Sequence, residues 1–253
     1  MRQFIKLLVI SCSLILLQSK LSADPPITII AWNYYFAPPF MTPNNQGLAL
    51  DFVNLLNKES DGRFRFQLLS IPRVRLDQYL DNHQQGIVLF VNWAWMGKGA
   101  KENFLWTPKI LRDRNEIISS IDKKIVFDSP DSLKGLIFGA IRGRKYKNLE
   151  ELFTTNQIQR FDVNREEQVL ALMMKNRIDV TSQPRTLAIP LSQSMGLKDK
   201  IFFSPKPLFS FTRHIMITPK LKEVHAHLSK ISKNLENNAE WIAILSKYGL
   251  AKK

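Results

Sequence analysis

Two hydrophobic periodicities alternate along this chain, and the alternation restarts once near its middle. Short apolar runs bounded by polar turns read as strands at 27–31, 64–69, 86–91 and 117–121, then again at 136–141, 159–163, 178–182 and 214–218. Between them lie segments whose apolar residues share one helical face. In 48–57 these are Leu48, Phe52, Leu55 and Leu56; in 166–175 they are Val169, Leu170, Leu172 and Met173. Further helices are expected at 74–80, 148–153 and 186–195, and two more at about 221–235 and 239–248 close the chain. Strands that alternate with helices pair mostly in parallel, because each helix carries the chain back across the sheet. The expected class is therefore α/β. The polar stretch 122–132, which contains Pro130, separates the two runs and is expected to carry the chain between them.

The first residues set the compartment. Arg2 and Lys6 precede an apolar stretch at 7–17, and a polar tail then ends in Ala23 before Asp24-Pro25-Pro26. That order is a secretory signal peptide, expected at 1–23 and cut after Ala23. Its apolar run is shorter than the roughly 20 residues that span a bilayer. Cys12, the single cysteine, lies inside this leader, so the mature chain is expected to have no disulfide and no thiol chemistry. Val9-Ile10-Ser11-Cys12 faintly resembles a lipoprotein cleavage box, but the apolar run continues beyond it. The expected product is periplasmic, soluble and without stable membrane insertion after cleavage. Setting Arg2, Lys6 and Lys20 aside from the 36 basic residues leaves a net charge of +11 against the 22 acids. Such charge suits anionic partners, but the basic residues are scattered, which argues against a nucleic-acid surface.

Several motifs then occur in a telling order. Ala37-Pro38-Pro39-Phe40 follows the first strand, and Gly47-Leu48-Ala49-Leu50-Asp51-Phe52 opens the first helix. Gly139-Ala140-Ile141-Arg142-Gly143, Asn176-Arg177-Ile178-Asp179 and Phe203-Ser204-Pro205 come later. In this order they resemble the family 3 extracellular solute-binding proteins, periplasmic type II binding proteins of the kind that serve amino-acid import. The resemblance covers nearly all of the mature chain. It implies two α/β lobes, each a mixed sheet flanked by helices, joined by two hinge crossings. Lobe 1 is expected at 24–120 plus 215–253 and lobe 2 at 121–214, with ligand held between them. It further implies a monomer that delivers its solute to an inner-membrane ABC-type permease or to a sensor, without cofactor or metal.

The amino-acid signature of that family is weakened here. Counting back from Ala100-Lys101-Glu102-Asn103-Phe104, the place of the carboxylate-clamping arginine is held by Lys98. A lysine offers one mobile charge where arginine offers a planar fork. The stretch that carries the family's amine-binding acid reads Ser182-Gln183-Pro184-Arg185 and contains no acid. Basic and aromatic residues stand in their stead. Arg142 and Arg144 flank Gly143 after a strand, a setting suited to a carboxylate or phosphate. Tyr34, Tyr35 and Phe36 follow the first strand, and one of them is expected to face the cleft while the others pack inward. Asn92, Trp93 and Trp95 follow the buried strand 86–91; one tryptophan supplies an apolar wall or packs against Trp106. Gln183 and Arg185 complete the expected set. Arg73 and Arg75, after Ile71-Pro72, match a Pro-x-x-Arg feature of some relatives.

Catalytic readings find little support. His225 and His227 are two apart and leave a helix on different sides, and His83 and His214 stand alone. No Gly-x-Ser-x-Gly elbow, His-Glu-x-x-His pair or phosphate loop occurs. The expected role is capture of a small anionic or zwitterionic solute, not an enzyme. The alternative is a sensory or interaction module with a degenerate cleft.

Overall fold

The structure is a computed structural model that describes residues 25–251 apart from positions 43, 45 and 147. The leader, its cut after Ala23 and Cys12 lie outside the described residues. The first run of elements is β1 (Ile27–Asn33), α1 (Leu48–Lys58), β2 (Phe64–Ser70), α2 (Arg73–Asp81) and β3 (Ile87–Val91), followed by α3 (Ala100–Asn103) and β4 (Leu105–Trp106). After β5 (Leu111–Ser120) come β6 (Ile137–Ile141), α4 (Glu150–Thr154), β7 (Gln159–Val163), α5 (Glu166–Met173), β8 (Val180–Pro184) and α6 (Arg185–Ser194). β9 (Ile201–Phe203), β10 (Phe209–Ile217), α7 (Lys222–Asn234) and α8 (Ala239–Lys247) complete the order.

The strands pair as β2-β1-β3-β10-β5-β8-β6-β7, with β4 on β10 and β9 on β5. β2, β1 and β3 are mutually parallel, as are β7, β6 and β8. Two long antiparallel strands join the two groups. β10 pairs with β5 through Phe209 to Arg213, then leaves it and pairs with β3 and β4 through His214 to Ile217. β5 pairs with β10 through Asn115, and from Asn115 to Ser119 it pairs with β8. The chain therefore passes between two sheet halves twice, once in each of these strands.

Each half buries both faces. In the first, α1, α7 and α8 cover one face through Leu48, Phe52, Leu56, Val224, Leu228 and Trp241. The other face packs Trp32, Ile71, Leu76, Val88, Val91 and Met216. In the second, Phe138, Leu149, Phe153 and Ile158 form one core, and Ile118, Val169, Leu170 and Ile178 the other. Strand β3 is buried at all five residues, which is why it reads as a continuous apolar run. No helix among the described residues is long and apolar enough to cross a membrane.

Most elements lie within a few residues of their expected places, and the departures share a cause. The strand expected at 117–121 begins at Leu111, and the one expected at 214–218 begins at Phe209. The added segments, Leu-Arg-Asp-Arg-Asn-Glu and Phe-Ser-Phe-Thr-Arg, are too polar to show as apolar runs. The stretch 122–132 stays beside the second sheet half: Lys123 pairs with Asp179, and the Phe127 N–H donates to Ser204 Oγ at 2.9 Å. The expected limits at 120/121 and 214/215 fall at the end of β5 and inside β10.

Gly86 shows how tightly the first half is packed. A Cβ there would stand 2.7 Å from the Ile30 carbonyl oxygen and 2.8 Å from the Trp32 ring. Gly86→Ala is expected to lower stability by about 1–3 kcal/mol through overpacking. In a chain of this size that is a fall of roughly 2 to 12 °C in the thermal midpoint.

Candidate functional site

The topology directs attention to one place. β1 and β3 run toward the crossing, since Val91 pairs with His214 just past the β5-paired half of β10. β6 and β8 run toward it from the other side, since Pro184 pairs with Asn115 and Gly139 with Thr181. The carboxyl ends of both sets of parallel strands thus meet at the crossing, where open α/β sheets place ligands. The residues that follow those ends, and the crossing strands themselves, form the candidate site.

Arg213 of β10 is the centre of the first-half side. Its side chain is 2% exposed. Nε and Nη2 donate to Asp113 Oδ2 at 2.9 and 2.8 Å. Nη1 donates to the Tyr35 hydroxyl and the Phe90 carbonyl, both at 3.0 Å, and Nη2 also reaches Thr186 Oγ1 at 3.2 Å. The guanidinium lies 5.1–5.4 Å from the ring centres of Tyr35, Phe40, Trp95 and Phe211. Asp113 in turn accepts from the Thr186 N–H at 3.3 Å and its hydroxyl at 2.7 Å, which places a carboxylate at the N-terminus of α6. Burial alone would lower the Arg213 guanidinium, but Tyr35 and Asp113 together hold it above its ordinary range.

The backbone is bent to serve this cluster. Phe90 has φ 60°, a left-handed conformation rare for a bulky residue, and the β3–β10 register shifts across the same segment. The resulting bulge turns the Phe90 carbonyl onto both Arg213 and the Tyr35 hydroxyl. Such strain costs on the order of 1–3 kcal/mol and persists only where the surroundings over-determine it.

The second-half side holds a different set. Glu116 of β5 is fully buried, and its Oε1 accepts from Arg114 Nε at 2.7 Å and Arg185 Nη1 at 2.6 Å. Gln183 lies opposite it on β8 and is buried too. Arg144 donates to Glu166 Oε1 at 2.7 Å. Gly143, at φ 77°, turns the chain between Arg142 and Arg144. As a result Arg144 reaches Glu166, whereas Arg142 reaches Asn164 at 3.1 Å.

The expected site residues therefore divide. Tyr34, Tyr35 and Trp95 gather at the crossing: the two tyrosine rings stack 4.4 Å apart, Arg73 lies over Tyr34 at 5.5 Å, and Trp95 packs edge-on to Phe211. Burial first, then the neighbouring Tyr35, holds the Tyr34 hydroxyl well above its ordinary range. Phe36 is 53% exposed at the rim. Arg144, Gln183 and Arg185 gather on the other side. Asn92 caps the turn of Trp93–Trp95, accepting from the Ala94 N–H at 3.0 Å and donating to the Thr212 carbonyl at 2.9 Å. Trp93 turns toward His214 and Trp106, with ring centres 4.9 and 6.0 Å away. Arg142 lines a shallow hollow of about 380 Å³ with Asn164, Gln168 and Leu172. Lys98 is exposed in a groove of about 930 Å³ that runs from Arg73 along α2 to Thr218 and Lys220, at the far end of the sheet. The residues not foreseen are Asp113, Arg213, Glu116 and Glu166. Two carboxylates, Glu116 and Glu166, stand in a site for which the motifs pointed to no acid. Among the described residues, no group of three or more His, Cys, Asp or Glu is placed to hold a metal.

Arg213→Met should lower stability by about 3–5 kcal/mol, because it strands the buried Asp113 carboxylate. Adding Asp113→Asn should recover part of the loss, as read from denaturant midpoints. His214 supplies a pH signature. Burial holds its imidazole below the ordinary 6.5, with Nδ1 against the Thr107 carbonyl and Nε2 against Thr212 Oγ1. His227 is lowered in the same way by burial and by Arg63. The unfolded chain takes up these protons at a higher pH than the folded one, so stability is full above 6.5 and falls as pH drops below it. His214→Gln should flatten that fall when denaturant midpoints are compared between about pH 7.5 and about pH 5.

The arrangement has counterparts among solved structures. The chain is similar to an ancestral arginine-binding protein bound to arginine, at 12% identity and a TM-score of 0.64, over 89% of this chain and 99% of that one. It is similar to the GluR0 ligand-binding core from Nostoc punctiforme in complex with L-glutamate, at 14% identity and 0.63, over 89% and 100%. Substrate-binding domain 2 of GlnP from Lactococcus lactis, in an open conformation, matches at 17% identity and 0.64, over 89% and 95%. No protein-family model and no curated protein matches the sequence. The likeness is one of fold, and it meets what the motifs implied: the chain has the two-lobed α/β fold of the type II periplasmic binding proteins.

Proposed function

We propose that this chain is an exported solute-binding protein that holds a small zwitterionic or anionic solute between its two lobes. The observation that carries this reading is the convergence of Tyr34, Trp95, Arg144, Glu166, Glu116 and Arg185 on the carboxyl ends of both strand sets. Cations, carboxylates and aromatic faces at one place suit a small polar ligand whose orientation is set by a few contacts. The compared structures are named for arginine, glutamate and substrate binding, which supports the same class of role. In this reading the role is one of binding rather than of catalysis. The leader points to the periplasm, where such a monomer would serve a permease or sensor of the inner membrane. In this reading the lobes comprise 24–120 plus 215–253 and 121–214, and they close about the crossing strands around ligand.

A ligand present at about a hundred times its dissociation constant should stabilise the chain by about 2.7 kcal/mol. For this size the thermal midpoint should rise by roughly 5 to 10 °C. Small-angle scattering should show a more compact particle with the same compound. A broad metabolite screen on protein stripped of carried-over solute, with neither a shift nor compaction, would favour the sensory or interaction module instead.

A further inference from the structure

A second hollow lies behind the crossing, on the side away from the Arg213–Asp113 pair. It encloses about 400 Å³ between Lys109, just before β5, Thr212 and His214 of β10, and Ser232, Lys233 and Glu236 at the end of α7. Thr212 and His214 are two apart on a strand, so both leave the face opposite Arg213. The hollow stands where β10 changes partners: Thr212 pairs with Arg112 of β5, and His214 with Val91 of β3. Its polar groups are unevenly used. Ser232 is 3% exposed, and its Oγ has no hydrogen-bond partner among the described residues. A serine inside a helix ordinarily bonds a carbonyl of the turn before or points to solvent. This one lines the hollow instead. Lys233 is exposed and has no ion-pair partner among the described residues. Lys109 lies 3.6 Å from Glu236 Oε1, too far for a hydrogen bond, and Arg112 shares that oxygen at 3.3 Å. His214 is fully engaged. A carbonyl only accepts, so Nδ1 donates to Thr107 and Nε2 accepts from the Thr212 hydroxyl. The donors left free are the Ser232 hydroxyl and the ammonium groups of Lys109 and Lys233.

Three cations face one acid here, and that acid is already shared between two of them. Beneath them a buried hydroxyl has nothing to donate to. The group that satisfies both conditions is a negatively charged oxygen. Lys233 also stands in the last turn of α7, where its charge offsets the negative end of the helix dipole, but that role supplies no partner for Ser232. We propose that the hollow is a second binding site, which takes a small molecule through an oxyanion, a phosphate or a carboxylate group. Ser232 donates to that group from the inner wall, and Lys109 and Lys233 hold its charge at the mouth. The volume falls in the range of small-molecule sites. A ligand held there ties the end of α7 to both pairings of β10, at the point where that strand passes from one sheet half to the other. It therefore acts on the crossing from outside the space between the lobes, as an effector rather than a transported solute. The site shares no residue with the gathering of Tyr34, Trp95, Arg144, Glu166, Glu116 and Arg185, so it stands or falls independently of the solute-binding reading.

The test titrates the full mature chain with inorganic phosphate and, separately, with citrate, against sodium chloride at matched ionic strength. Phosphate stabilises folded proteins generally through its exclusion from their surface, so the readout is calorimetric binding rather than a melting shift. Saturable binding of at least one anion is expected, and the arm that responds tells a phosphate site from a carboxylate site. Ser232→Ala removes no internal hydrogen bond, so it should fold as the parent does and bind about 10-fold more weakly. Lys233→Gln should weaken binding by a similar factor. Lys220→Gln, at another exposed lysine outside the hollow, should leave it unchanged. The inference is overturned if neither anion binds beyond the chloride reference. It is overturned equally if binding is indifferent to Ser232→Ala, because the anion then sits elsewhere, at the crossing or on the basic surface. A loss with Lys220→Gln as large as with Lys233→Gln has the same consequence, since overall charge is then the cause. Should Ser232→Ala not fold, the contrast between Lys233→Gln and Lys220→Gln decides.

Discussion

One buried ion pair, Arg213 with Asp113, organises everything between the two halves of this protein. Each partner sits on one of the crossing strands, so the pair closes the crossing across its own ladder. Taking both charges out of water costs several kcal/mol per ion, and only complete hydrogen bonding recovers it. That condition is met here. The Arg213 guanidinium bonds Asp113, Tyr35, Phe90 and Thr186, and four aromatic rings exclude water around it. Through those bonds the pair fixes the loop after β1, the bulge at the end of β3 and the N-terminus of α6. The strained φ of Phe90 is the local expense of aiming one carbonyl at that guanidinium.

The same pair explains what the sequence reveals and what it hides. Apolar periodicity finds an element when burial is apolar, and it places β1, β3, β6 and the helices over them within a few residues. It misses Leu111 to Glu116 because that half of β5 is buried through charge pairing. Read with period two, the segment puts Leu111, Asp113 and Asn115 on one face and Arg112, Arg114 and Glu116 on the other. That alternation is the signal for a polar strand, but it names no partner: Arg213 is one hundred residues away and Arg185 sixty-nine.

Side-chain direction follows the same logic. Arg142 and Arg144 look equivalent in sequence, yet the left-handed turn at Gly143 sends one to Asn164 and the other to Glu166. Trp93 and Trp95 are likewise two apart. Their short helical turn sends Trp93 to His214 and Trp95 to Arg213 and Phe211. Lys98, three residues farther on, is already beyond a second left-handed glycine, Gly97, and lies in the groove along α2. Resemblance to a family motif locates these residues along the chain. The turns decide where they point.

The net positive charge of the chain therefore does not describe its site. Arginines around the crossing are paired with carboxylates: Arg73 with Asp77, Arg144 with Glu166, Arg213 with Asp113, and Arg114 and Arg185 with the one carboxylate of Glu116. A surplus of charge spread over the surface raises the local concentration of anions and their rate of arrival. A floor built of paired charges does the opposite of attracting anions indiscriminately, because a ligand must replace or extend a pair that already exists. Extension is the cheaper course, since it leaves no buried charge stranded.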